Sequence, residues 1–595
     1  MVKARNFGAT YFLSLHPSKL LCNMKNLLHP AILCLLFSLT FVGVSRAQDG
    51  NLFLGTATGA TVTTGDSLTV AGSEAGASLT SGRFNTFFGA RAGQSLTTGQ
   101  YNAFFGYGAG LNQTSAWDNV FIGNEAGWTN VTGTDNVYIG SEAGRLATGS
   151  DNVFIGTEAG EFTTTGGDNV FIGEESGTSN TTGSDNVFVG EDAGYYNETG
   201  SHNVFIGGSS DFGAGVLFSE FGASAGEDNE TGIYNTYVGA GAGADSRFVS
   251  GNTMIGYAAG FHNENGEQNT FVGTGAGWDN NRINNNQGNR NTYLGYATGG
   301  TNRYGEDNVG IGANADFQDD GSSTQNFRNT FIGSEAEVDG NDNVAIGYSS
   351  RSDAAGAISI GSNSLADNNN AVTIGDQATT TKVQAVAIGA QSNNTGANSI
   401  AIGYQSTVTG DNEVYLGNSA MASIGGIVNW TATSDGRFKS DVREDVPGLD
   451  FINRLRPVTY HFDARQLHEQ RGGCSEDLEG SFAEKEDQRF TGFIAQEVES
   501  AALELGYDFS GVDVPANEED IYGLRYAEFS VPLVKAVQEL NQTIQDQRLT
   551  IDEQRAAIDQ LLGVIETQQQ LLTELQREVR LSRQNESEIL SFQNQ

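Results

Sequence analysis

The chain has 595 residues, too many for one ordinary domain, and its 79 glycines against 6 prolines lack the Gly-X-Y triplet that collagen requires. A formal net charge of -41 argues against nucleic acid as a partner, because phosphate recognition rests on Lys and Arg, and against docking on an anionic membrane surface. With 17% charged residues the composition is far from globular usage, which directs attention to repeats.

In chain order, the first element is a targeting segment over 1–47. Lys25, the apolar run from Ala31 to Val44 and the small-residue site before Gln48 follow the order of a secretory signal, with Met24 as an alternative start. The run is too short to span a bilayer comfortably, so no membrane span is expected once it is removed; a buried helix is the competing reading. Leu33 before Cys34 argues against a lipoprotein signal. Loss of Cys22 and Cys34 with the signal leaves Cys474, so the mature chain has no intramolecular disulfide.

Over 48–342 a motif Asn-x-apolar-apolar-Gly recurs about every 17 residues, with asparagines at 85, 102, 119, 136, 152, 169, 186 and 203. Over 343–430 the step shortens to 14, with Gly347, Gly361, Gly375, Gly389, Gly403 and Gly417 in register. Repeats this short are coils of a solenoid that cannot bury a face alone. Val, Ile, Phe and Tyr in runs too short for helices predict strands. In "NVFIG", Phe121 points one way and Val120 and Ile122 the other, so one face lines the coil and the other needs a second surface, most simply another chain. The repeat asparagines can form a side-chain ladder between coils. Asp118, Asp135, Asp151, Asp168 and Asp185 precede these asparagines and could bind calcium along an edge, or be solvated turn carboxylates; the absence of a full calcium-loop spacing favours the second. "GAGAG" at 239–243 lacks the Gly-Lys-Ser/Thr ending of a phosphate loop. His202, His262, His461 and His468 form no metal-ligand pair, and no metal or cofactor is expected.

The 14-residue block, with units such as "NVAIGYSS" and "AVAIGAQS", resembles the head of trimeric autotransporter adhesins, which implies a parallel β-roll in a homotrimer. The 17-residue block shares the strand-Gly core but not the period. No membrane β-barrel segment follows in this sequence, so the chain is not expected to export itself as those adhesins do.

After Trp430 charged residues rise and glycine falls. "SDGRFKSDV", "LDFINRLRPVTYHF", "TGFIAQEVE" and "YAEFSVPLVKAVQEL" follow in that order within 434–540. Together they resemble the C-terminal intramolecular chaperone of phage endosialidases and tail spikes, a self-cleaving serine peptidase family. The resemblance implies a small α+β chaperone domain over 431–540, Ser434 as nucleophile, Lys439 as its partner, and cleavage between Thr433 and Ser434. Phe438 stands where Leu is usual, and a charged insertion, about 464–489, reads as a surface loop. His461 is a possible accessory residue or a structural strand histidine. A serine hydroxyl needs a neighbouring base, and lysine is one only when desolvation lowers its pKa from about 10.4. Arg437 would push Lys439 toward neutrality and Asp435 would oppose it; the sequence leaves that balance open.

Val537, Ile544, Ile551, Ile558, Ile565, Leu572 and Val579 recur every seventh residue, which predicts an α-helical coiled coil over 537–590. The heptads permit a dimer or a trimer, and the two resemblances imply a trimer. The expected protein is thus mostly β: a repetitive β-roll or solenoid, an α+β chaperone domain and a coiled coil. It reads as a secreted or cell-surface homotrimeric fibre, with a cell-surface or polysaccharide ligand as a possible partner, that removes its own chaperone in a single turnover. The alternatives are an uncleaved surface adhesin with a permanent cap, and a β-helix enzyme that degrades polysaccharide. The latter would need carboxylates clustered on adjacent coils.

Overall fold

The computed structural model describes residues 50–209, 223–281, 287–318, 326–471, 478–515, 517 and 520–593. The expected signal segment and Cys474 lie outside these residues. The chain divides into two compact units after Leu416.

The first unit is a parallel β-solenoid whose main sheet has 22 strands, from Leu52–Leu54 to Val414–Leu416. Each strand is three residues long and pairs in register with its counterpart one coil away, as in Phe104 opposite Phe121. Except in the first and last strands, the central residue points inward and is buried, while its neighbours stay at least partly exposed; Phe121 has no exposed surface and Ile122 is 39% exposed. Period-2 alternation therefore puts one apolar file in the core and leaves the other unpaired in a single chain. The inward aromatics form a continuous stack from Phe87 through Tyr138 to Tyr237, with ring centroids 4.7 to 4.9 Å apart. That is the spacing of neighbouring strands, so in-register pairing and ring stacking satisfy the same geometry.

The repeat asparagines are fully buried and form the expected ladder. The Oδ1 of Asn102 accepts the backbone N–H of Asn119 at 3.1 Å, and the Nδ2 of Asn102 donates to the Ala116 carbonyl at 3.0 Å. A second ladder, absent from the sequence reading, runs through Asn180, Asn197 and Asn229, linked at 2.9 and 2.7 Å. The glycine that closes each strand is obligatory: Gly123 has φ of 146°, and a Cβ there would run into the Gly140 carbonyl of the next coil. The aspartates before the ladder asparagines, Asp118 to Asp185, all have φ near 60°. Asp tolerates this left-handed conformation better than most residues, which gives the recurrent carboxylate a backbone reason. Among the described residues no three or more His, Cys, Asp or Glu side chains are grouped to hold a metal.

Toward the end of the array a second sheet of seven two-residue strands appears, starting at Asp316–Phe317. This two-stranded type of coil thus begins upstream of Asn343, where the period changes. The core narrows with it, from rings to Ala345, Ser359, Thr373, Ala387 and Ala401. A shorter coil encloses less volume, so smaller residues fill it.

In the second unit, helix α1 (Leu449–Ile452), an antiparallel pair of Val458–His461 with Arg489–Gly492, helix α4 (Ala495–Glu504) and a final helix α5 (Ser530–Phe592, 63 residues) form a small mixed module. Its core gathers Phe451, Val498, Ala501, Phe509 and Phe529. In its described residues the charged insertion is mostly helical, not the expected surface loop. It folds into α2 (Ala464–Gln470) and α3 (Glu479–Asp487), with Asp463 capping α2 and Phe482, Ala464 and His468 buried. Spaced apolar residues among the charges supply a local core that the bulk composition hides. The heptad residues of α5 are exposed along the helix, Ile551 at 47% and Leu572 at 60%.

Candidate functional site

Ser434 and Lys439 flank a single 3-10 turn, Gly436–Phe438. Asp435 caps it: its Oδ1 accepts the Arg437 backbone N–H at 2.9 Å. The Lys439 N–H returns to the Gly436 carbonyl at 3.2 Å. This reversal spans the intervening residues and brings the Lys439 Nζ to the Ser434 Oγ at 2.7 Å, the amine donating. Short capping residues and a glycine are what such a tight turn needs.

The two charges between them pair with each other. The Arg437 guanidinium donates to Asp435 Oδ2 at 2.6 and 2.9 Å. This ion pair and the Arg437 backbone N–H hold the Asp435 carboxyl below its usual range. Ser434 and Lys439 are both exposed, as is Thr433, so nothing in one chain takes water from the amine. Outside the turn the neighbouring chain has no regular secondary structure, and large apolar side chains stand in solvent: Trp430 is 84%, Phe438 79% and Val442 80% exposed. His461 belongs to the paired strands, where its Nδ1 donates to the Glu486 carbonyl at 2.8 Å. That bond gives it a structural task.

Two groups escaped the sequence reading. The Lys485 Nζ donates to the carbonyls of Ser419 and Met421 at 2.6 and 2.8 Å. The Glu539 carboxylate accepts the Leu449 N–H at 2.7 Å, which joins α1 to α5. Neither has a sequence signal, because the partners are backbone groups far away in the chain.

In the solenoid, Glu227, Asp228 and Asp245 gather around an open cavity of about 360 Å³ with His262. His262 Nδ1 and Asp245 Oδ2 are 2.6 Å apart, and Asp228 meets Arg247 at 3.4 Å. Burial raises the Glu227 and Asp228 carboxyls above their ordinary range. Elsewhere carboxylates recur coil by coil, and Arg145 bridges Glu125, Glu142 and Glu161 at 3.1 to 3.6 Å.

Residues 434–507 match the family model described as chaperone of endosialidase. Residues 332–364, 366–392 and 395–412 match that of the YadA head domain repeat. No curated protein matches the chain. The first match starts at Ser434 and takes in the turn, α1, the paired strands and α4; the second covers the coils with two strands apart from the first, at Val309–Ile311 and Asp316–Phe317. The chain is accordingly fibre-like and adhesin-like in make-up. No helix among the described residues is long and apolar enough to cross a membrane.

Proposed function

We propose that this protein is a secreted or surface fibre built by three identical chains, and that its C-terminal module registers those chains and then cuts itself off between Thr433 and Ser434. The contact between Lys439 Nζ and Ser434 Oγ supports this reading, because the amine lies within hydrogen-bond reach of the hydroxyl at the start of the chaperone match and would serve as its base when neutral. Neutral Lys439 takes the Ser434 proton, and Oγ attacks the Thr433 carbonyl carbon through a five-membered ring. The C–N bond breaks, the proton passes to the Ser434 amine, and Thr433 becomes an ester on Oγ. Water then hydrolyses the ester to a Thr433 carboxylate and a free Ser434 hydroxyl.

Assembly supplies the missing desolvation. Trp430, Phe438 and Val442 border the dyad and are exposed in one chain, as are the α5 heptads. Burying them between chains removes water from Lys439, and a drier ammonium gives up its proton more readily. A chain that has not assembled keeps a hydrated lysine and stays whole. Non-local strand pairing is slow, so a removable template helps the coils register, and its loss traps the folded shaft.

Intact mass and N-terminal sequencing test the reading. The native protein should give two fragments, the second starting at Ser434, while Ser434→Ala and Lys439→Met remain single chains of correct oligomeric size. The same fragment pair from Ser434→Ala, or a native chain that stays whole as a trimer, overturns it. The latter result leaves the chaperone as a permanent cap.

A further inference from the structure

The inserted hairpin α2–α3 is firmly built into its module. Phe482 packs on His468, the Arg465 guanidinium lies 5.6 Å over the Phe482 ring and also pairs with Glu479, and the Glu486 carbonyl takes the His461 bond. From this frame Lys485 reaches out to the chain that follows the last coil. Its ammonium donates to the Ser419 and Met421 carbonyls and lies 5.8 Å from the Phe462 ring. Charge-assisted bonds of this kind are the stronger sort, and an adjacent ring face adds to them. Burial lowers the Lys485 pKa, in keeping with an amine enclosed by its partners.

Ser419 and Met421 precede the Thr433–Ser434 bond, and Lys485 follows it. We propose that Lys485 is a latch that holds the two products together after that bond is cut, so that cleavage and release of the chaperone are separate steps. This rests on the cleavage reading above. The hairpin serves the release step: the new C-terminal end of the shaft stays bound through two main-chain carbonyls, acceptors that persist whatever the side chains at 419 and 421. Residues 424–430 between them are exposed, so the cut can relax locally without disturbing the latch.

The test keeps latch and self-cleavage apart. A recognition sequence for an external protease is placed in the exposed stretch at Gly425–Val428 of full-length Ser434→Ala protein, the chain is cut with that protease, and separation of the two pieces is followed by size exclusion. With Lys485 present the pieces should co-elute. Lys485→Met should release the C-terminal piece about tenfold faster, and Lys485→Arg, which keeps a charged donor, should retain it. Equal release from Lys485 and Lys485→Met overturns the latch, whatever Ser434 does. A second readout needs no change at Lys485: in the uncut protein an amine-acylating reagent should label Lys485 more slowly than the exposed Lys439, and labelling should accelerate as the pieces separate. Equal labelling of both lysines before the cut also overturns the proposal.

Discussion

Asn169 shows how a single residue supports the solenoid. Its Oδ1 accepts the N–H and the Nδ2 of Asn186 at 3.0 and 3.1 Å, and its own Nδ2 donates to the Gly183 carbonyl at 2.9 Å, all in a site without solvent. Asn169→Ala strands the buried Asn186 N–H, at a cost of about 1–3 kcal/mol, and leaves the Gly183 carbonyl with Asn180 as its remaining donor. The variant should therefore melt below the native chain in thermal unfolding followed by circular dichroism, whereas Asp168→Asn, an exposed change that keeps a residue tolerant of φ of 58°, should change little. A native-like melt of Asn169→Ala would show that the ladder follows from the fold without stabilising it. At the dyad the same scale is decisive in another way. Asp435 and Arg437 pair with each other, which leaves the Ser434 hydroxyl and the Lys439 amine as each other's partners at the turn.

Among the elements, α1 is only one turn long and starts at Gly448 with no side-chain cap of its own. A helix this short is not stable by itself. Its first turn is held from outside by Glu539 on α5, which accepts the Leu449 N–H. Glu539→Ala should therefore cost about 1 kcal/mol, like the loss of an N-cap, and should do so in the chaperone module alone. Hydrogen exchange reads this directly: amides of 449–453 should exchange faster while those of the solenoid strands are unchanged. Unaltered protection at 449–453 would mean that core packing of Phe451 suffices. The hairpin α2–α3 makes the complementary point, since buried Phe482 rather than helix propensity sets its position.

Over the whole molecule the charge of the array has a consequence for its stability. Glu158, Glu175 and Asp192 lie on successive coils, and burial, then carboxylates on neighbouring coils, raise all three above their ordinary values. Asp353 is pushed up to about 6, by burial first, with Asp367, Glu337 and Asp339 adding to it against Arg351. For a carboxyl whose folded pKa is raised, folding penalises the charged form. The penalty is complete above the folded value and disappears as pH falls from about 6 toward the unfolded value of about 4. Acidification through that window should raise the melting temperature of the array by a few degrees, opposite to the common behaviour of paired carboxylates. Scans at about pH 7.5 and about pH 5 give the sign, and a lower melting temperature at about pH 5 contradicts it. Carboxylates below their ordinary range, such as Asp307 beside Arg290, lose their contribution only in stronger acid.

The array was legible because in a solenoid each residue's tertiary neighbour is the same residue one period away. Period and strand chemistry thus prescribe both the Phe87–Tyr237 stack and the Asn85–Asn203 ladder. The heptads likewise fixed α5 as a long helix with an apolar file. Ser434 and Lys439 are singled out by the motifs around them, since a serine and a lysine five apart mean little alone. Only the tertiary structure decided the rest. It paired Asp435 with Arg437, folded the charged insertion around Phe482, and brought Lys485 to two carbonyls more than sixty residues away. The reason is physical: a backbone carbonyl has no side-chain signature, and a charge can turn toward any of several partners. Sequence periodicity determines interactions that repeat, while three-dimensional packing selects those that occur once.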